Sequence, residues 1–386
     1  MSSSSYGWVA LMLLLLQSSC QFYTSCPAGG SNGSAGAGNS GGSGNQAGSS
    51  NLGGGAPLLD GEWENATSNL ADMASECGNL SYGSAKPDED LLIVSVARHG
   101  LWGSTNGGDK WNPIGTGSGG DLITNRASSL LFDPEHPETF WESGIYNGNG
   151  VFKTTDDGKT FVAADITHND FVSVDFSDAR RKTLLASGHE QAHKLYLSTD
   201  SGVTWQEIGD NIPDEAHVCP FPYVVDAQTF LLGCGSYGGG KTGIYRSTNA
   251  GASWTLVSEA GGGSAPLVAK NETIYWASEG TAGMTVSKDK GKTWSAPVGA
   301  GVITGAQPWE LPDGRLAELS MASVVISDDG GVTWSPGSAA LPYRPTGFFY
   351  SSQQKAFYVY HYTCDPGDNP VAADAVMRFS FDYETQ

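Results

Sequence analysis

The sequence predicts an all-β chain: a seven-bladed β-propeller of four-stranded antiparallel blades. Three observations predict it. First, an octet of the form Ser/Thr-x-Asp/Asn-x-Gly-x-Thr-Trp, always closed by an aromatic, recurs six times, at 104–111, 154–161, 198–205 (STDSGVTW), 247–254, 287–294 and 327–334. The copies start 40 to 50 residues apart, the period of a unit that must stack on its neighbours to bury its apolar faces. Second, short alternating runs separated by turn residues dominate, with little helical periodicity, and 53 glycines and 11 tryptophans suit strands and tight corners. Third, three more strand-like runs follow the last octet, at 345–351, 356–361 and 373–381, and one unmatched run, GEWENAT, precedes the first. A seventh blade closed by the N-terminal segment uses all four and removes an exposed sheet edge.

Taken in order, residues 1–26 read as an export signal. The apolar run 8–16 is too short to span a bilayer but suits a signal core, and LQSSC places small residues before Cys20. This resembles a bacterial lipobox, with Gln17 where Leu is usual and Cys26 as a second candidate. The resemblance implies a lipid anchor; cleavage and release are the other outcome. Residues 27–57 are rich in Gly, Ser, Asn and Ala and nearly uncharged, the composition of a flexible tether. The propeller occupies 58–386. Its third repeat predicts strands at 171–176, 182–187, 194–198 and 205–208, and its second predicts 128–132, 139–143 and 151–154 before the octet. Cys77 with Cys364 would staple the ring closure. Cys219 and Cys234 face each other if their hairpin turns at Asp226–Ala227. Both bridges require an oxidising compartment.

Within each octet, the Asp or Asn side chain bonds backbone amides and fixes a turn, the Gly accepts a left-handed backbone, and the aromatic opens the next strand. The octet resembles the Asp-box, or BNR, repeat of sialidases, sortilin-type receptors, xyloglucan-degrading glycoside hydrolases and photosystem assembly factors, over roughly 61–383. The resemblance implies the propeller and leaves function open. A sialidase would need an Arg-Ile-Pro motif, but Arg98 is followed by His99 and Gly100; sialidase activity is not expected. The run FDPEHPETFW, 132–141, is similar to an inner-strand turn of the xyloglucan hydrolases, which use two propellers where this chain has one.

In an antiparallel meander the octets share one face, and the loops between second and third strands share the other face with the blade-to-blade connections. Six of the seven histidines sort to that second face: His99, His168, His189, His193, His217 and His361. So do Arg98, Arg126, Glu142, Tyr146, Asp170, Glu190, Tyr237, Glu279, Glu318, Tyr343 and Arg344. Loops converging on a propeller axis make a concave polar funnel. Three chemistries fit this collection. Carboxylates from Glu142, Asp170, Glu190, Glu279 or Glu318 suit glycoside hydrolysis, whereas His with Tyr beside an Arg that neutralises a uronate suits β-elimination by a polysaccharide lyase. Imidazoles of His189 with His168, His217 or His361 could hold a metal. Binding without turnover is the third. The string HEQAH, 189–193, matches a zinc-protease motif by letter only, because it lies between strands and that motif needs a helix.

The candidate catalytic set is therefore His189, Glu190, His168, Asp170, Glu142 and Tyr146. The candidate ligand-binding set is Arg98, His99, Arg126, His217, Tyr237, Glu279, Tyr343, Arg344 and His361. No cofactor or metal is expected. A net charge of −21, from 41 acidic and 20 basic residues, argues against nucleic acid or an anionic membrane as partner; membrane contact is expected only through the lipid anchor. The expected ligand is an extracellular glycan, bound with or without cleavage by a monomer, or alternatively a protein partner of a non-catalytic scaffold.

Overall fold

The computed structural model describes residues 61–362 and 369–384. The export signal, the tether and Cys364 lie outside the described residues, and so does the proposed Cys77–Cys364 bridge. The described residues form seven antiparallel sheets. Six follow one another along the chain as blades one to six, and the seventh is closed from the N-terminus. There Glu64–Asn65 pairs with Val376–Ser380, Glu64 opposite Arg378, with the two side chains ion-paired at 2.6 Å. Trp63 donates its indole N–H to Ala339 O at 2.7 Å and packs on Phe379. The closing blade therefore contains both ends of the propeller.

The six octets share one bonding plan. In blade three, Ser198 Oγ accepts the amide of Gly202 at 2.9 Å and donates to Asp200, which in turn accepts the amide and hydroxyl of Thr204 at 2.8 and 2.6 Å. The Thr204 bonds hold the Asp200 pKa at about 2, so the corner keeps its charge well into acid. Gly202 has φ +88°, as the turn requires, and the preceding Ser201 is also left-handed at +67°.

Two elements depart from expectation. Blade five has three paired strands, Leu267–Val268, Ile274–Ala277 and Met284–Ser287. Its outer strand is reduced to bonds from Ser295 and Val298, because Pro297 between them has no N–H to offer the ladder. In blade four the hairpin turns one residue later than predicted: Thr229 N–H bonds Asp226 O, and Val224 faces Phe230. A β-bulge between Val218 and Phe221 then shifts the register back, so Cys219 and Cys234 still meet and form a disulfide. The predicted bridge is present, but by a different register.

Blades pack through apolar faces such as Trp141, Val172, Val174 and Leu184 between blades two and three. One polar staple crosses the same interface on the octet face. Arg181 of blade three makes a bidentate pair with Asp133 of blade two at 2.8 and 2.9 Å and reaches Glu135 at 2.7 Å. Arg181 and Asp133 are both buried, at 5% and 2% exposure. Burial alone would push the Asp133 carboxyl up; the guanidinium holds it below its ordinary value. Arg181→Ala leaves Asp133 buried and unpaired, and is expected to cost about 3–5 kcal/mol. Urea unfolding measures it; a loss under 1 kcal/mol would contradict this role.

Candidate functional site

The innermost strands of blades one to four each carry a register shift near the mouth opposite the octets, at Leu80/Tyr82, Ala127/Ser129, Asn169/Val172 and Val218/Phe221. Bulges re-aim side chains. The third brackets Asp170, on the strand Asn169–Val174. His189 immediately follows the second strand of blade three, Leu184–Gly188. Tyr146 takes the same place in blade two, after Phe140–Ile145, in a left-handed conformation at φ +57°.

These positions bring three side chains into line. Asp170 Oδ1 lies 2.8 Å from His189 Nδ1, and His189 Nε2 lies 3.1 Å from the Tyr146 hydroxyl. Asp170 and His189 are nearly inaccessible, at 1% and 2% exposure. A carboxylate accepts and does not donate, so Nδ1 carries the imidazole proton and Nε2 turns its lone pair toward Tyr146. His168 holds the assembly together. Its Nδ1 accepts the Tyr146 amide at 3.3 Å, its carbonyl accepts the His189 amide, and its ring packs against both partners at 4.9 Å. Arg126 lies over the Tyr146 ring at 4.9 Å and pairs with Glu76 at 3.0 Å.

Burial shapes the charges here. It pushes the Asp170 carboxyl up against the pull of His189 and drives His168 down. Tyr146 is pushed up to about 12, by burial first and then by Glu190, while Arg126 opposes. Tyr146 is thus a protonated donor at neutral pH, facing an imidazole lone pair.

His189 and Glu190 line two hollows. One is a narrow axial space of about 120 Å³ whose walls include Arg126, Tyr146, Phe171, Trp309 and Tyr360. The other is wider, about 860 Å³, and runs past Tyr237, Glu279, Thr281, Met321 and Arg344. Glu279 is fixed there by the amide and hydroxyl of Ser236 at 2.9 and 2.8 Å.

Not every expected residue reaches the funnel. Glu142 and Glu318 lie at 0% exposure inside second strands. Glu142 bonds Asn125 at 3.2 Å; its register beside Leu130 and Phe152 places it in the packing between blades, not at the mouth. His217 pairs with His193 at the rim between blades three and four, rings 6.1 Å apart. His361 stacks on Tyr343 at 4.0 Å within blade seven. Arg98 is exposed, and the exposed His99 bonds Ala74 O. The six histidines expected at this face therefore fall into three separate groups besides His99, and only His168 with His189 sits on the Asp170–Tyr146 line. The HEQAH segment is a turn, with Glu190 and His193 at φ +53° and +54°, so His193 points to His217 and not beside His189. Among the described residues no group of three His, Cys, Asp or Glu side chains is placed to hold a metal ion. Sequence reasoning missed Glu76 and Asn125, which lie in irregular connections that carry no periodic signal.

The BNR/Asp-box repeat family profile matches residues 325–336. A xyloglucanase of Hypocrea jecorina (strain QM6a) is 24% identical over 300 residues, which are 69% of this chain and 31% of the relative; the chain spans about a third of that enzyme. A streptogramin B lyase structure superposes with a TM-score of 0.57 at 9% identity, covering 83% of this chain and 98% of the lyase. YCF48 bound to D1 peptide superposes at 0.53 and 14% identity, covering 84% and 99%. At these identities the structural likenesses establish the fold.

Proposed function

We propose that this chain, an Asp-box propeller, is an exported protein that binds an acidic extracellular glycan in the funnel opposite the Asp-boxes and cleaves it by β-elimination. The observation that carries this reading is the Asp170–His189–Tyr146 line opening on the cavity beside Arg126. In the reaction, His189 Nε2 takes the proton from the carbon next to the uronate carboxylate. The bond from the adjacent carbon to the glycosidic oxygen breaks, its electron pair leaving with the oxygen, and a carbon–carbon double bond forms. Tyr146 donates its proton to the departing oxygen and recovers one from His189 across the 3.1 Å contact, which closes the proton cycle. Asp170 positions the imidazole and stabilises its charged form. Arg126, on the cavity wall with its pairing to Glu76 at 3.0 Å, offers guanidinium N–H donors to the carboxylate, whose neutralisation makes the neighbouring proton easier to remove.

Hydrolysis by paired carboxylates is less well supported. Asp170 is committed to His189, Glu279 to Ser236, and Glu142 and Glu318 to the packing. The xyloglucanase relative favours a glycan as ligand class. A peptide-binding scaffold, the role suggested by the YCF48 complex, is the outcome to expect if no glycan is bound.

The test is a screen of uronate-containing and neutral polysaccharides for unsaturated products. Tyr146→Phe removes one hydroxyl and is expected to lower kcat by about 10²–10⁴-fold with little change in KM. Unsaturated product formed equally fast by Tyr146→Phe would remove Tyr146 from the mechanism. Product with saturated ends would replace elimination by hydrolysis.

A further inference from the structure

Four arginines of this acidic chain hold a carboxylate within the fold. Arg126, Arg181, Arg315 and Arg378 each hold a carboxylate at 3.0 Å or less. Arg344 does not. It lies in the connection between blades six and seven and lines the wider cavity together with His189 and Glu190. Its guanidinium reaches one group, Thr304 O, at 3.5 Å, and among the described residues it has no acidic partner. Burial pulls Arg344 below its ordinary value, the direction expected of a cation that has lost water and gained no counter-ion.

We propose that Arg344 anchors a second subsite of the funnel, one that takes an anionic group, a carboxylate or a sulfate ester, on a sugar unit removed from the reacting one. A planar guanidinium offers paired N–H donors that match either oxyanion. The remaining walls suit the rest of an acidic sugar. Tyr237 and Met321 are exposed at 42% and 58% and provide apolar surface for a ring face. Glu279, pre-aimed by Ser236, accepts sugar hydroxyls. The net charge of −21 does not forbid this. At physiological salt, charges beyond about 8 Å are largely screened, so a half-buried cation decides locally. The consequence is a ligand bearing regularly placed anions, one near Arg126 for the reaction and one at Arg344 for register.

This subsite rests on the elimination reading for its register but not for its binding, and the two are tested apart. Binding is measured by calorimetry on the full chain carrying Tyr146→Phe, with three probes: an oligouronate, a sulfated oligosaccharide without uronate, and a neutral xyloglucan oligosaccharide. In that background Arg344→Met is expected to weaken the acidic probes about 10- to 100-fold, as for loss of a charged hydrogen bond, and to change the neutral one less than 2-fold. Arg344→Lys recovers part of the loss. Thr281→Glu, on an exposed loop of the same cavity, weakens the same probes without touching Arg344 or the core. A loss confined to the oligouronate identifies a carboxylate; one confined to the sulfated probe identifies a sulfate ester. Acidic probes bound equally well by Arg344→Met and Thr281→Glu, or a parent that binds only the neutral probe, would overturn the subsite. Arg344-dependent binding with no unsaturated product from the native chain would keep the subsite and discard the elimination.

Discussion

Asp170→Asn is expected to lower kcat/KM for elimination by about 10⁴-fold while leaving the melting temperature unchanged or slightly raised. The magnitude follows from tautomer control. Asp170 accepts the His189 Nδ1 proton at 2.8 Å, which leaves Nε2 free to act as a base. An asparagine there can turn its N–H₂ toward Nδ1, which moves the imidazole proton to Nε2. The ring then stays in place but has no lone pair facing Tyr146. Stability moves the other way, because a neutral amide at 1% exposure avoids the desolvation that raises the Asp170 carboxyl. Activity and melting therefore separate, which a purely structural role would not allow. His189→Ala is the poorer experiment. It removes the base but also strands a buried carboxylate, so a melting temperature unaffected by that change is not expected, despite the loop position that the sequence suggested. Native-like turnover by Asp170→Asn would exclude the relay.

The repeat made the fold legible and the site only partly so. Six octets set the blade period, and the leftover strands of the last repeat, together with GEWENAT, required a seventh blade that closes on itself. That inference depends only on strand counting. Sorting loops by face also put Asp170, His189 and Tyr146 on one mouth, where the structure brings them into contact, because their positions follow from the meander. It failed where burial decides. Glu142 lies four residues before Tyr146, inside the strand FWESGI, which is buried along its whole length because blades cover both its faces. Alternation cannot separate in from out in such a strand. The Asp133–Arg181 staple was hidden for the opposite reason: both residues lie in turns, where charges ordinarily face water. Contacts between blades, such as Tyr146 with His189, depend on ring geometry, and no local spacing encodes them.

The second large effect is on stability. Glu142→Gln is expected to stabilise the propeller increasingly between pH 4.5 and about 8, and to flatten the decline of the native chain over that window. Glu142 is fully buried, and burial raises its pKa from 4.5 to about 8 against a single hydrogen bond from Asn125. The sign follows from linkage. The folded chain keeps the proton on Glu142 up to about pH 8, whereas the unfolded chain releases it near 4.5. Unfolding therefore gains a proton-release term as pH rises through this interval, and the native state loses stability until the folded carboxyl also ionises. At about 1.36 kcal/mol per pH unit the whole interval corresponds to roughly 5 kcal/mol. Glutamine has no proton to lose, and its shape fits. Its carbonyl accepts the Asn125 N–H, and its amide N–H₂ can turn to Asn125 Oδ1, which, like Glu142 Oε1, has no hydrogen-bond partner among the described residues. Glu318 titrates in the same direction, so a residual slope should persist until Glu318→Gln is added. Melting followed at pH 5, 7 and 8.5 gives the comparison. A Glu142→Gln chain whose melting temperature tracks that of the native one at every pH would mean that Glu142 ionises in the fold at its ordinary value, and that the blade-one to blade-two interface admits water.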